Sequence, residues 1–350
     1  MIEIKKILPV VFLLLISSAA LSQISSVSIS EERQDERDSI KNTTNYPWRL
    51  PIMGKKLRDQ GFEIPFPNGI GINTAFSRQD LLVSNLKVGF GNSDMVPVDG
   101  IARFNSITAD VEAYTVRYDF WLLPFLNFYG IAGKTHALTR VDLGLPFNAV
   151  FNADNTGTAV GWGTVVAGGV GPLVLSANFT MAWTFIPSLE APATAISVSG
   201  RGGWLFRFRN PGSNLAVLVG ADYLRINPAS AGKADMEKVL GITPEGKQEA
   251  LDGLNDWYDD LSDGQQNVLE PIYNGLSSYL SSDDPVELKY EFNKELYYPV
   301  SMSLGFNLQL SHRYTVTGIY SFLGSRDQLV LGVGYRFGFK GKNLLSGFSL

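Results

Sequence analysis

The sequence predicts an all-β chain: an antiparallel transmembrane β-barrel of about ten strands, with one α-helical hairpin inserted late in the chain. Three observations carry this. Stretches of about 10 residues alternate apolar with polar or small side chains, as strands do when one face meets lipid and the other an interior. Gly accounts for 35 of 350 residues, aromatics for 12% and charged residues for only 18%, against roughly 25% charged in soluble domains. The N-terminus reads as an export signal, and no later run supplies a spanning helix. The best candidates, Trp121 to Gly133 and Val165 to Ala177, are broken by Pro and Gly. Hydrocarbon demands that every backbone group be paired within the protein, and a closed barrel does this without helices. A net charge of −5 leaves no basic face for nucleic acid.

Lys5 and Lys6 precede an apolar run from Ile7 to Ile16, followed by Ser18, Ala19, Ala20 and Ser22. A basic start, short apolar core and small-x-small end describe a secretory signal peptide over residues 1–22, cleaved before Gln23. The run is shorter than the roughly 20 residues a membrane anchor needs. The chain has no Cys, which excludes disulfide, zinc-thiolate and thiol chemistry and any lipid-modified Cys. Residues 23–68 are polar, acidic at first, then hold Pro47, Pro51, Pro65 and Pro67. They read as a partly disordered periplasmic segment, with a piece near Trp48 to Leu57 tucked into the barrel.

The barrel is expected over 69–339. Its strongest strands are 173–185, 196–208 and 298–309. In the last, Tyr298, Val300, Met302, Leu304, Phe306 and Leu308 share one face, and Ser301, Ser303, Gly305, Asn307 and Gln309 the other. Further candidates are 81–90, 106–122, 126–141, 157–169, 214–226, 313–323 and 328–339, about ten in all, and an even count is the bacterial rule. The segments 69–79 and 286–294 could raise the number to twelve. Short connections fall at Leu123-Pro124, Gly169 to Pro172, Asn210 to Ser213 and Ser311 to Arg313; the alternate connections are expected to be longer and extracellular.

The last strand alternates to an aromatic end: Leu329, Leu331, Val333, Tyr335, Phe337 and Phe339 against Gly332, Gly334, Arg336 and Gly338. This resembles the C-terminal signal strand of bacterial outer-membrane β-barrels. The aromatic stretch Tyr118 to Gly130, turning at Pro124, resembles the tight turns of uncharacterised families of that kind. The resemblance is architectural and covers roughly residues 80–339. It implies the cell outer membrane of a Gram-negative bacterium, with outer-membrane lipid and lipopolysaccharide around the barrel and the barrel-assembly machinery as a partner in biogenesis. The C-terminal tail 340–350 departs from the pattern, since such barrels usually end at the terminal aromatic; Phe348-Ser349-Leu350 reads as a second aromatic end.

The helical insertion is expected over 233–282. Thr243-Pro244-Glu245 is a helix start with Pro at the first position, followed by Leu251, Leu254, Tyr258 and Leu261 at helical spacing. Ser262 and Gln265 form a capping box ahead of Val268, Leu269, Ile272, Leu276 and Leu280, and Pro271 should kink or interrupt that second helix. Acids outnumber the three lysines Lys233, Lys238 and Lys247. By strand parity the hairpin lies outside the cell, where it could cap a pore, bind an extracellular or envelope protein, or bridge lipopolysaccharide through divalent cations. Asp256, Asp259, Asp260 and Asp263 lack the alternating ligands of a calcium loop.

Strand parity points Lys87, Arg117, Asp119, Lys134, His136, Asn178, Arg201, Arg207, Asp222, Asn307, Gln309 and Arg336 into the lumen. Basic residues exceed acids, which suggests a narrow channel or transporter for small solutes with anion preference, since charge rings set selectivity. The alternative is a network that fills a narrow interior, with Arg117 or Arg201 paired to Asp119 or Asp222, in a structural or partner-binding protein acting through its helical insertion. A lipid-modifying enzyme is the third class. It is disfavoured because the chain has only two His, with His312 in a turn and His136 beside Thr135 and Thr139 but no nucleophile motif. No catalytic residue, metal or cofactor is expected.

Overall fold

A computed structural model describes residues 46–60, 62, 64–91, 94–98, 103–145, 149–187, 189, 191–210, 212–227, 229–235, 244–281 and 287–343. The expected signal peptide, residues 23–45, Thr243 and Phe348 to Leu350 lie outside these. The strands are β1 (Asn68–Phe90), β2 (Val96–Pro97), β3 (Arg103–Leu123), β4 (Leu126–Leu145), β5 (Ala149–Val170), β6 (Leu173–Phe185), β7 (Ala193–Arg207), β8 (Asn214–Ile226), β9 (Ala229–Asp235), β10 (Glu287–Leu296), β11 (Val300–Gln309), β12 (Tyr314–Phe322) and β13 (Arg326–Phe337). The helices are α1 (Gly54–Asp59), α2 (Pro244–Asp259) and α3 (Asp263–Ser281).

Ten strands close into an antiparallel barrel in the order β1-β3-β4-β5-β6-β7-β8-β11-β12-β13. Closure comes from β13 pairing with β1, from Asn68 opposite Phe337 to Gln79 opposite Arg326. The expected count of ten holds, but its membership changes. The segment 69–79 is a barrel strand, and 81–90 is its continuation beyond the barrel. There β1 leaves β3 and pairs with β10, with a register irregularity between Ser84 and Lys87 and Asn85 at φ 52. The extra strand expected near 286–294 is β10, and it joins β9 rather than widening the barrel. These strands and β2 form a small sheet continuous with the barrel wall.

One end of the barrel, the turn end, holds the tight β3–β4, β5–β6, β7–β8 and β11–β12 connections. Gly171, at φ 61, makes the β5–β6 turn before Pro172. The opposite, insertion end carries the β8–β11 insertion. The sequence leads one to expect longer connections at this end, but β12 and β13 are separated by only three residues, with Leu323 at φ 58 and Gly324 at φ 104. The length there lies in the strands, since β1, β3, β4 and β5 run 20 to 23 residues while β11 and β12 run 10 and 9.

The outer surface changes character along those tall strands. Toward the turn end it is apolar: Ile70, Ile72 and Phe76 on β1, Tyr114, Val116 and Tyr118 on β3, Val160, Trp162 and Val166 on β5, all exposed. β6, β7, β8, β11 and β13 continue the band with Leu175, Trp204, Val219, Leu304 and Leu331. Such a band, about 10 residues tall, is what a hydrocarbon layer selects. Farther up the same face turns polar, with Arg78, Asp110, Glu112, Arg140, Asp154 and Thr156. Arg78 clamps Asp110 in a bidentate pair, Nε to Oδ1 2.8 Å and Nη2 to Oδ2 3.1 Å. The inner face inverts in the opposite sense, from Arg117 and Asp119 to Ile107, Ala109, Val111 and Ala113 on β3.

The insertion is a β9-α2-α3-β10 module with its own core. Leu254 and Leu269 are fully buried, joined by Ile272, Leu276, Tyr279, Leu280 and Val98, against Leu86, Val88 and Phe90 of β1 and Leu288 of β10. After the irregularity near Asn85, Leu86, Val88 and Phe90 continue the inward face of β1, so the hairpin stands on the lumen side of the wall's extension. Gln265 Oε1 accepts from Ser262 N at 3.1 Å, the reach-back arm of the expected capping box. The interruption expected at Pro271 does not occur: α3 runs through it. Pro271 is exposed, while Leu269 and Ile272 on either side are held in the core, and that packing offsets the lost hydrogen bond.

At the turn end the segments that precede β1 and follow β13 clasp each other. Trp48 bridges to Lys340, Arg49 N donates to Phe339 O and Gly341 N to Pro47 O. The Asn343 carboxamide donates to the carbonyls of Trp48, Arg49 and Pro51. The piece expected inside the barrel thus packs at its rim, with Ile52 N donating to Leu122 O. The part of the C-terminal tail that departed from the barrel pattern is the other half of this clasp.

Candidate functional site

The barrel interior is the candidate site, and two polar clusters occupy it. In the first, Asp119 of β3 accepts from Arg336 Nη2 of β13 at 2.9 Å and from Asn127 Nδ2 of β4 at 2.9 Å, with Arg117 Nε at 3.6 Å from its other oxygen. Arg117 Nη2 donates to Asn127 Oδ1 at 3.2 Å, and its guanidinium lies 3.9 Å from the centre of the Tyr129 ring. Arg336 Nε reaches out of the barrel proper to the Phe66 carbonyl at 3.1 Å. Gly69 of β1 makes this convergence possible, because a Cβ there would sit 2.7 Å from Asp119 Oδ1.

In the second cluster, Arg201 of β7 pairs with Asp222 of β8 and donates through Nε to Ser303 Oγ of β11 at 3.0 Å. Ser321 of β12 donates to the other Asp222 oxygen at 2.8 Å, and Arg326 Nη2 donates to Ser301 Oγ at 3.3 Å. Several of these bonds skip a strand and so cross the interior rather than run along the wall. Such pairs are strong only where every member is satisfied and water is excluded. Exposure of 2% for the Arg201 side chain and 0% for Asp222 meets the second condition.

Beside the two polar clusters the interior holds an apolar one. Trp121, Tyr129, Val165, Ala167, Val174, Leu205, Ala216, Leu218 and Ile319 form one buried cluster. Ile319 belongs to β12 and Val165 to β5, which stand on opposite sides of the ten-strand ring. The packing therefore spans the lumen. Tyr129 donates to Asn178 Oδ1 at 2.8 Å, which fixes the position of Asn178. A cavity of about 30 Å³ remains beside Arg117 and Arg336.

Of the residues that parity pointed inward, Arg117, Asp119, Asn178, Arg201, Asp222, Asn307, Gln309 and Arg336 lie inside and are buried. Arg207 has inward parity but sits exposed at the turn end. Three are corrected. Lys87 lies in the small sheet beyond the barrel, paired to Glu291 at 3.1 Å. Lys134 and His136 share the outward face of β4, since Asn127 and Tyr129 of odd parity are the buried ones. His136 Nε2 faces Asp154 Oδ1 at 2.7 Å on the exposed polar surface above the apolar band. Arg326 is the buried charge that sequence reading missed. It shares the inward face with Gln328, Val330 and Gly332, two positions before a strand read as starting at 328.

No family model and no curated protein matches this sequence. Among solved structures, the chain is similar to the transport unit of the autotransporter AIDA-I from Escherichia coli, at 10% identity and TM-score 0.32 over 78% of this chain and 90% of that one. It is similar to the β domain of the Bordetella autotransporter BrkA, at 9% and 0.34 over 78% and 100%. It is also similar to the Pseudomonas putida toluene transporter TodX, at 11% and 0.28 over 91% and 98%. What the chain has in common with these bacterial outer-membrane proteins is the closed antiparallel β-barrel.

Proposed function

We propose that this chain is an outer-membrane β-barrel of a Gram-negative envelope that acts as a closed anchor. It holds the β9-α2-α3-β10 module at the cell surface for contact with an extracellular or envelope partner. The observation that carries this reading is the apolar cluster linking Ile319 to the opposite wall at Val165, because a continuous pore needs an unfilled axis. A barrel this narrow has an interior just wide enough for its own side chains. The outer apolar band supports membrane insertion, and its height matches what spanning strands need. The short turns and the terminal clasp fit the periplasmic side, and the insertion fits the outside. The role is non-enzymatic.

A second reading, a narrow path for small solutes, is favoured by the excess of arginine over aspartate inside the barrel. Planar-bilayer recording of the purified mature protein separates the two. The closed anchor gives no discrete steps. Steps with anion preference, weakened by Arg201→Ala, would overturn it in favour of the path. In either case the protein should fractionate with outer membranes and migrate faster on gels before heating than after; an inner-membrane or cytoplasmic location would defeat both readings.

A further inference from the structure

Inside the barrel the described side chains do not balance their own charge. Six ionised groups are buried there: Arg117, Arg201, Arg326 and Arg336 against Asp119 and Asp222. Arg117 and Arg336 share Asp119, so that cluster retains one positive charge behind a wall whose outer face is apolar. An arginine cannot escape by shedding its proton, and a buried charge without a partner is strongly unfavourable. Among the described residues no third buried carboxylate answers that charge.

The cluster also has the place for a bound counter-ion. The 30 Å³ cavity is bordered by Arg117, Arg336, Asn73, Thr315 and Thr317. Arg117 is only 5% exposed, and its Nη1 has no hydrogen-bond partner. Glycines keep the space open: a Cβ at Gly69 would lie 2.8 Å from Arg336 Nη1, and one at Gly334 would lie 2.8 Å from Thr315 Oγ1. Asp119 borders the cavity too; its Oδ2 accepts from both Arg336 and Asn127, and its Oδ1 lies 3.6 Å from Arg117 Nε. A water needs about 10–15 Å³ of such space, so the 30 Å³ cavity has room for about two waters or one small ion.

We propose that this cavity binds one small monovalent anion, chloride, held by Arg117 and Arg336 and by the hydroxyls of Thr315 and Thr317. The anion neutralises the cluster and occupies the free Arg117 donor. It is a fixed component of the folded interior, and the inference stands whether or not the barrel conducts.

The test uses the full mature protein folded in detergent. The midpoint of the heat-induced gel shift is measured in sodium chloride, bromide and gluconate at equal ionic strength. The midpoint should rise with each tenfold increase in chloride or bromide and stay flat in gluconate. In Arg117→Met, which removes the excess charge, the halide dependence should vanish. Equal midpoints in the three salts for the wild type would overturn the proposal. If the variant does not fold, crystals of wild type grown in bromide decide. An anomalous peak beside Arg117 and Arg336 supports the site, and its absence means that the cavity holds only water.

Discussion

Strands β3, β4 and β5 pass through two environments, and the outward face of the same pleat changes polarity between them. Near the turn end their outward positions are Tyr118 and Val116, Phe128 and Ala132, Val166 and Trp162; their inward positions include Arg117, Asp119 and Asn127. Beyond the apolar band the outward positions become Glu112 and Asp110, His136 and Arg140, Thr156 and Asp154, and the inward ones Ala109 and Val111, Ala137 and Val141, Gly157 and Ala153. The backbone keeps its alternation and register throughout. The side-chain code therefore records what lies outside the wall at each level. In the proposed membrane-spanning arrangement, the level at which the outward face changes is the edge of the hydrocarbon.

The largest expected effect lies inside the lower region. Asp222→Ala leaves Arg201 without its ion-pair partner in a dry interior and should cost about 3–5 kcal/mol, read as a lower urea or heat midpoint for the gel shift. An unchanged midpoint would mean that the interior is wet. Next, Leu254→Ala in the module should cost that module about 2–5 kcal/mol, seen as faster proteolysis within 244–281, while the barrel's gel shift stays put. A joint loss of both would show that module and barrel form one cooperative unit. A matched pair then places the membrane edge on a single strand face. Trp162→Arg should destabilise the lipid-embedded barrel by about 2–4 kcal/mol. Thr156→Arg, six residues along on the same face of β5, should have little effect. Equal costs at both positions would remove the inversion as a boundary marker.

The smallest effect concerns Lys294, half-buried on β10, where burial lowers its ammonium pKa. The folded state then releases the proton more readily than the unfolded one, so the penalty is full below the folded pKa. It fades as pH rises through that value toward about 10.4, the ordinary lysine pKa. Lys294→Met should slow hydrogen exchange in β10 at neutral pH, with the gain disappearing in strong base. A gain independent of pH would assign it to packing alone.

Much of the architecture is legible in the residues. Tyr298 to Gln309 alternates without a break, and β11 follows it with the exposed and buried faces in step. Ten strands follow from counting such runs. The misreadings come from two physical sources. Alternation fixes which residues share a face but not which face is inside, so polarity alone sends Lys134 and His136 to the lumen, whereas at their height polar means outward. Alternation is also blind to partners: 81–90 looks like a strand and is one, but its neighbour is β10, brought in across some 200 residues. Inside the barrel, inward parity put Arg201 and Asp222 together as neighbours on paired strands. The cavity beside Arg117 was not legible, because it depends on glycines of β1 and β13 meeting at the closing seam.

That seam joins Asn68 to Phe337, positions almost as far apart in the chain as any two described residues. The clasp of Trp48, Asn343 and their carbonyl partners fastens the segments on either side of it. In topological terms residues 46–343 form a ring in which only a covalent link between positions 46 and 343 is missing. Nothing in the barrel then requires the polypeptide to begin at β1. A chain reopened between β4 and β5, with residue 343 linked to residue 46, would present the same ten neighbours in the same cyclic order.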